Sequence, residues 1–445
     1  MKSELRRLFA LALPLAIAEA GTQVMSVVDM AVIGRLGGRE LAACGLANAV
    51  YFGVSVFGLG LMLGIDPLIS QAIGAGDAPR ARHVLWQGVW LSLIASVLLV
   101  SILLFGPLLL TLIGVKRELI APATSYLLVR LIGIAPWLMF FVLRAYLQAH
   151  HITRPMVTSM VLGNILNFAG DIFLVFTMRL GVVGAAISTV ICQFVALSIL
   201  AVAVMRIEVP QFSRRWTWIE IRRATRVGLP TAFQVTAEVG IFALVALIAG
   251  RLGTVDLAAH QLVITLASFT FTVALGVATA GSVRVGLAVG ARDREGARRA
   301  GRATFIGAAI VMSVSAIAFM TIPRLFARML TNQEDVIAAS LPLFFVAGLF
   351  QLADGLQAAG IGALRGAADT KFAFITNVIG YWLIGLPVGL LLGFRLEMGV
   401  VGFWWGFVAG LWCVAVMVFL RFEYLSGREI VPVVDRMKLE VRSSN

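Results

Sequence analysis

Gly34-Arg35-Leu36-Gly37 and Gly250-Arg251-Leu252-Gly253 are the same tetrapeptide placed 216 residues apart (250 − 34), each at the end of a long apolar run. Leu41-Ala42-Ala43 follows the first copy and Leu257-Ala258-Ala259 the second. The same offset carries Leu13-Pro14 to Leu229-Pro230, Gly74-Ala75 with Asp77 to Gly290-Ala291 with Asp293, and Ala81-Arg82 to Ala297-Arg298. Later in each half, Leu143-Arg144 and Leu364-Arg365 precede Thr153-Arg154 and Thr370-Lys371 with slightly shifted spacing. Shared Ala or Leu arises by chance, but a turn of this composition in register with the rest does not. The chain is an internal duplication.

Composition sets the medium in which the duplicate folds. Hydrophobic residues make up 60% of the chain, charged residues 13%, and the mean hydropathy is +0.96. Soluble domains carry about 25% charged residues, so this chain lacks the polar surface that water requires. Apolar runs of about 20 residues recur along its length, the signature of spanning helices; the alternation of an outer-membrane barrel is absent. The expected spans are 8–34, 42–75, 84–114, 122–149, 155–178, 181–205, 223–250, 257–291, 299–323, 338–364, 371–394 and 399–420. The fold class is an all-α membrane protein of about twelve transmembrane helices in two pseudosymmetric six-helix bundles. Six is even, so both halves enter the membrane in the same sense, related by an axis along its normal around a central cavity suited to alternating access.

The net charge of +13 reads as loop asymmetry rather than nucleic-acid affinity. With the N-terminus inside, the inner segments hold 25 Lys and Arg, among them Arg214, Arg215, Arg436, Lys438 and Arg442, against 9 outside. The positive-inside rule then places both termini in the cytoplasm. The first apolar run lacks a small-residue cleavage site and is a span, not a removable signal. The expected organisation is an N-lobe over 1–206, a cytoplasmic linker over 207–222 reading as an amphipathic surface stretch, a C-lobe over 223–422 and a cytoplasmic tail over 423–445.

Ionisable groups inside a span cost about 2.5–3.5 kcal/mol on insertion scales, so each asks for a function. The candidates are Glu19, Asp29, Asp66, Asp171, Glu238 and Asp354, with Arg130 and Arg284 as basic exceptions. In the first helix Glu19, Thr22, Ser26 and Asp29 share one face, and in the fifth Asn164, Asn167 and Asp171 do the same. Thr189 of the sixth helix is near in chain order. Carboxylate, carboxamide and hydroxyl converging in hydrocarbon form either a proton-binding cluster or an oxygen-ligand site for Na⁺; the competing reading is a hydrogen-bond network that only joins helices. The second half did not keep the first acid, since the position 216 beyond Asp29 is Val245. Its acids stand elsewhere: Glu238 one turn after Gln234, and Asp354 flanked by Gln351 and Gln357. Such acids bind a cation directly or exchange protons. His83, His150, His151 and His260 read as structural or solvated, and Cys44, Cys192 and Cys413, far apart in sequence, as packing residues. Pro14, Pro67, Pro230, Pro342 and Pro387 are candidate bends.

Taken in order, Val28-Asp29-Met30, Gly34-Arg35-Leu36-Gly37, Leu41 through Asn48, Pro67 through Gln71 with Gly74-Ala75-Gly76, Ser282 through Gly286, Asp354 through Gln357, Leu364-Arg365-Gly366 and Asp369-Thr370 resemble the multidrug and toxic compound extrusion (MATE) transporters, in their NorM-like branch, over nearly the whole chain. The resemblance implies an antiporter exporting small organic cations, drugs among them, in exchange for H⁺ or Na⁺. It implies that Asp29, Asn167, Asp171 and Thr189 form the N-lobe cluster, and that Glu238 and Asp354, with Gln234 and Gln357 beside them, form the C-lobe cation site. A Na⁺ ion would sit at Glu238 and Asp354 or at Asp29, Asn167 and Asp171. The expected protein is a monomer in the bacterial cytoplasmic membrane, in contact with lipids, with no cofactor beyond the coupling ion and no enzymatic activity. A related alternative is a flippase for lipid-linked oligosaccharides, but such flippases favour cationic cavities, whereas the charge at membrane depth here is mainly acidic.

Overall fold

A computed structural model describes residues 1–428 and 430–436, and among these every regular element is helical. Among the described residues eleven helices are long and apolar enough to span a membrane, and a bent pair counted as one span, α4, makes twelve: α1 (Lys2–Gly34), α2 (Gly38–Gly74), α3 (Ala78–Leu112), α4 (Arg117–Leu131 with Ile134–Ala149), α5 (Arg154–Thr177), α6 (Gly181–Met205), α7 (Trp218–Leu252), α8 (Thr254–Gly290), α9 (Arg294–Thr321), α10 (Glu334–Gly366), α11 (Thr370–Arg395) and α12 (Gly399–Ser426). A short helix, Pro323–Leu330, lies between α9 and α10. Several spans break where proline removes a backbone donor. Leu63 ends the first part of α2 just before Asp66-Pro67, and α4 bends by 44° after Leu131. Pro14, Pro230 and Pro342 sit inside continuous helices.

The duplication extends to the backbone. Asp77 caps α3 by accepting from the Arg80 amide at 3.0 Å, and Asp293 caps α9 by accepting from Gly296 at 2.8 Å. Such caps satisfy donors that a helix leaves free in its first turn. Left-handed residues recur in pairs: Gly76 and Arg292, His151 and Ala368, Arg179 and Glu397, Gly181 and Gly399. In both halves the span before the last pair ends in a widened π-helical stretch, Ile172–Thr177 in α5 and Leu391–Arg395 in α11. Only α11 carries a second one, Ile379–Gly385.

The chain resolves into two compact units whose borders depart from the halves expected from sequence. The N-lobe consists of Ile17–Ile69 and Asp77–Ala232; the C-lobe takes Met1–Ala16, Ser70–Gly76 and the chain from Phe233 onward. Packing explains the exchanges, because helices in lipid associate largely through close van der Waals contact. Within the N-lobe, a Cβ on Gly64 would stand 2.2 Å from the Gly228 Cα, and one on Gly60 2.5 Å from the Ala232 Cα. Within the C-lobe, a Cβ on Gly276 would stand 2.8 Å from the Ala16 nitrogen, and Arg284 pairs with Glu4. Gln71, also in the C-lobe, donates to the Gly366 carbonyl at 3.0 Å and accepts from the Val433 amide at 2.9 Å.

The linker is shorter than expected, because α7 begins at Trp218. Its backbone is fastened to one face of α3 rather than lying free: Arg215 and Ser213 carbonyls meet Gln87 and His83 at 2.8 Å, and Trp90 donates to the Arg214 carbonyl at 3.1 Å. Trp216 and Trp218 remain exposed. Of the expected tail, residues 423–426 belong to α12, while Lys438 and Arg442 lie outside the described residues.

Candidate functional site

In the N-lobe, α1, α5 and α6 bring their polar faces together. Asp29 is buried on α1, and the Thr189 hydroxyl of α6 lies 3.3 Å from its Oδ2 and 3.0 Å from the Ala185 carbonyl. One hydroxyl proton serves only one of these acceptors at a time. Asn167 and Asp171 of α5, both fully buried, lie against the same carboxylate. Yet hydrogen bonds of normal geometry reach neither side-chain atom of the Asn167 amide, neither oxygen of Asp171, nor Oδ1 of Asp29. The neighbouring Ser188 hydroxyl is spent on the Asn167 carbonyl at 3.0 Å. Buried polar atoms are almost always bonded, so five unbonded atoms in one pocket set this cluster apart from an ordinary helix joint.

Other members of the expected polar faces stand apart. Glu19 forms an ion pair with Arg144 of α4 at 2.6 Å, and Asn164 donates to the Gly21 and Met160 carbonyls, joining α5 to α1. Thr22 and Ser26 turn back to carbonyls of their own helix.

The C-lobe acids form a second cluster. Glu238 of α7 receives the Asn377 amide at 3.2 Å and the Tyr381 hydroxyl at 3.5 Å, both from α11. Gln234 and Gln357 lie against the same carboxylate, and Asp354 of α10, buried, faces Glu238. Gln351 does not take part; it donates to Thr270 of α8. The widened turn at Ile379–Gly385 holds Tyr381, and such turns gather at functional sites. Tyr381 also joins an aromatic group, in which Phe242 packs against Tyr381, Phe350 and Phe407 with ring centroids 6.0, 6.2 and 4.8 Å apart. His260 accepts from Trp404 at 3.2 Å and is a core residue.

All four N-lobe candidates and all four C-lobe candidates thus converge within their own units. Asn377 and Tyr381 were missed by sequence reasoning, although their spacing of four in an apolar run places them on one face. Among the described residues no group of three or more His, Cys, Asp or Glu has the arrangement of a metal centre. Each cluster instead mixes carboxylates with amide and hydroxyl oxygens, donors suited to a proton or a hard monovalent cation.

Comparison with known proteins agrees with this architecture. The MatE family signature matches twice, over residues 14–173 and again over 230–391. The probable multidrug resistance protein NorM of Bradyrhizobium diazoefficiens is 34% identical over 432 residues, covering 94% of this chain and 93% of that protein. Its counterpart of the same name in Pseudomonas putida is 31% identical, covering 96% of each. At the level of fold, a crystal structure of MATE in complex with MaD3S superposes with a TM-score of 0.88 at 22% identity, over 95% of this chain and 96% of that one. A eukaryotic MATE transporter gives 0.84 at 22% identity, over 94% and 95%. Two copies of the family signature, in the two halves that share one backbone pattern, make this chain a multi-pass membrane transporter of the MatE family.

Proposed function

We propose that the protein is a secondary antiporter that expels organic cations, drugs among them, in exchange for H⁺ or Na⁺ by alternating access. The names of the NorM relatives support multidrug cargo. The observation that carries the exchange is the buried pair Asp29 and Asp171 with its unbonded oxygens. A carboxylate in low dielectric is costly unless a positive charge accompanies it. Cargo and coupling ion therefore compete for the same negative charge, and the pocket closes at low cost only over whichever is present. Asn167 and Thr189 supply the neutral donor and acceptor atoms that orient the pair. Glu238 and Asp354, with Gln234 and Gln357, supply a second cation site on the same principle.

We place the protein in the bacterial inner membrane as a monomer; the distribution of Lys and Arg supports cytoplasmic termini. Cysteines introduced at Arg214 or Arg436 should then resist impermeant thiol reagents in intact cells. For function, the decisive measurement is efflux of a cationic dye from proteoliposomes under a pure pH gradient and then under a pure Na⁺ gradient. Efflux is expected under one of them; none under either would overturn the antiport reading.

A further inference from the structure

Beyond α12 the chain turns back onto the C-lobe. Pro432 opens a single helical turn by accepting from the Asp435 and Arg436 amides at 3.1 and 3.0 Å. Val433 is the first residue of that turn, and its amide has no partner within it. It donates instead to the Gln71 side chain of α2 at 2.9 Å. Gln71 is buried, and its side-chain nitrogen donates in turn to the Gly366 carbonyl at the end of α10, 3.0 Å away. Arg292, just past α8, pairs with Asp435 at 2.9 Å, and Arg436 reaches the Ala368 carbonyl at 3.4 Å. The segment 430–436 thus touches the chain at the ends of α2, α8 and α10. Its root is fixed separately, by Arg294 donating to the Ser426 carbonyl at 3.3 Å.

What the segment fastens is the part of α2 that has left its own lobe. Ile69 ends the N-lobe stretch of this helix, and Ser70–Gly76 belongs to the C-lobe. There it crosses α8 backbone to backbone: a Cβ on Gly74 would stand 2.0 Å from the Leu287 carbonyl oxygen, and one on Gly290 2.0 Å from that of Gln71. Such a crossing gains dispersion energy but has no interlocking side chains at its closest points, so polar ties matter to its persistence. We propose that 430–436 is a strap that holds the end of α2 in the C-lobe, and that its release limits the rate of the transport cycle. Only Ile430 and Val433 of the segment are buried, so it opens far more readily than the spans it fastens. Alternating access displaces one unit against the other, and a span with a part in each must give way at the border. The effect on rate rests on the antiport reading; the holding of α2 does not.

Two variants of the full chain test it. Val433→Pro removes the amide hydrogen at a position where a helical turn accepts proline, and Gln71→Met removes both bonds from the other side. Hydrogen–deuterium exchange of the purified protein in nanodiscs reads the amides of 70–76, and cationic-dye efflux from proteoliposomes reads the cycle. In Val433→Pro, exchange at 70–76 should rise by about three- to tenfold, the scale of one lost hydrogen bond. Efflux should quicken by a similar factor, and Gln71→Met should exceed it in both. Exchange at wild-type levels in both variants would show that the segment holds nothing. Faster exchange with unchanged or slower efflux would make it a fastening without a brake and overturn the proposal, leaving the antiport reading intact. A wild type that moves no dye under either gradient would overturn the antiport reading and the brake with it, while the exchange data would still decide whether the segment holds α2.

Discussion

At positions 218 residues apart (399 − 181), the N-lobe has Asn167, Asp171, Ser188 and Thr189 where the C-lobe has Gly385, Gly389, Gly406 and Phe407. Left-handed turns and a widened helix end recur in both, while α11, but not α5, adds a second widened stretch that ends at Gly385. The filling is opposite. In the C-lobe, α11 and α12 approach so closely that a Cβ on Gly406 would stand 2.4 Å from the Gly385 carbonyl oxygen. No polar cluster fits there, and the acids come instead from α7 and α10. Conversely, the position that corresponds to Glu238 in the first half (238 − 216) is Thr22, whose hydroxyl merely bonds its own helix. One frame has been furnished twice, with the ionisable groups at non-equivalent places. The two sites also differ in how well they are satisfied: Asp171 meets no donor, whereas Glu238 is held by two. The contrast concerns the acids rather than the whole clusters, since both side-chain atoms of Gln357 and the Asn377 Oδ1 in the C-lobe also lack partners.

If that contrast is real, neutralising the N-lobe pair should do the most damage. Asp29→Asn and Asp171→Asn are each expected to reduce gradient-driven dye efflux by about 100-fold, the scale of stripping one member from a buried charged network. Rates from proteoliposomes matched for protein content provide the measurement, and near-normal efflux in both variants would reduce the cluster to a helix joint. The pH response sharpens the same point. Acidification protonates carboxylates and removes the charge that holds the cargo, so wild-type dye binding should weaken as pH falls, and the double neutral variant should respond less.

Next in size is an attempt to furnish the C-lobe like the N-lobe. Gly406→Ser installs the residue found at the equivalent Ser188, but its side chain would collide with backbone of α11. A loss of about 1–3 kcal/mol is expected from such overpacking, seen as earlier melting in detergent; an unchanged melting curve would mean that the two helices separate easily. Glu238→Gln should be milder. Asn377 and Tyr381 have a side chain to engage in either case, and only the charge is lost, so cationic-dye affinity should drop by about tenfold with neutral cargo little affected. Equal losses for cationic and neutral cargo would assign Glu238 to architecture instead. Smallest of all is Tyr381→Phe, which deletes one long hydrogen bond; a change of about threefold or less in dye affinity is expected, and a larger one would make the widened turn of α11 part of the binding step itself.

Much of this molecule is written in its chain order. Eleven continuous spans, and a twelfth if the broken α4 counts as one, follow from apolar length, since a helix must cross the hydrocarbon with its backbone bonded internally. The duplication follows from turns repeated in register, because caps and left-handed residues depend on local chemistry. Even the candidate acids stand out, as few reasons justify a carboxylate in lipid. What chain order left undecided is partnership. Glu19 and Asp29 share a helix face in sequence, yet one is matched by Arg144 and the other faces Asp171. Asn377 and Tyr381 become ligands of Glu238 only through the packing of α11, and Met1–Ala16 joins the C-lobe because Gly276 leaves space for it. Hydropathy and periodicity report how a residue relates to its own helix and to the lipid. Hydrogen bonds and ion pairs act over about 3–4 Å, a distance set by the rotation and approach of neighbouring helices, and those are fixed only when side chains and glycines pack in three dimensions.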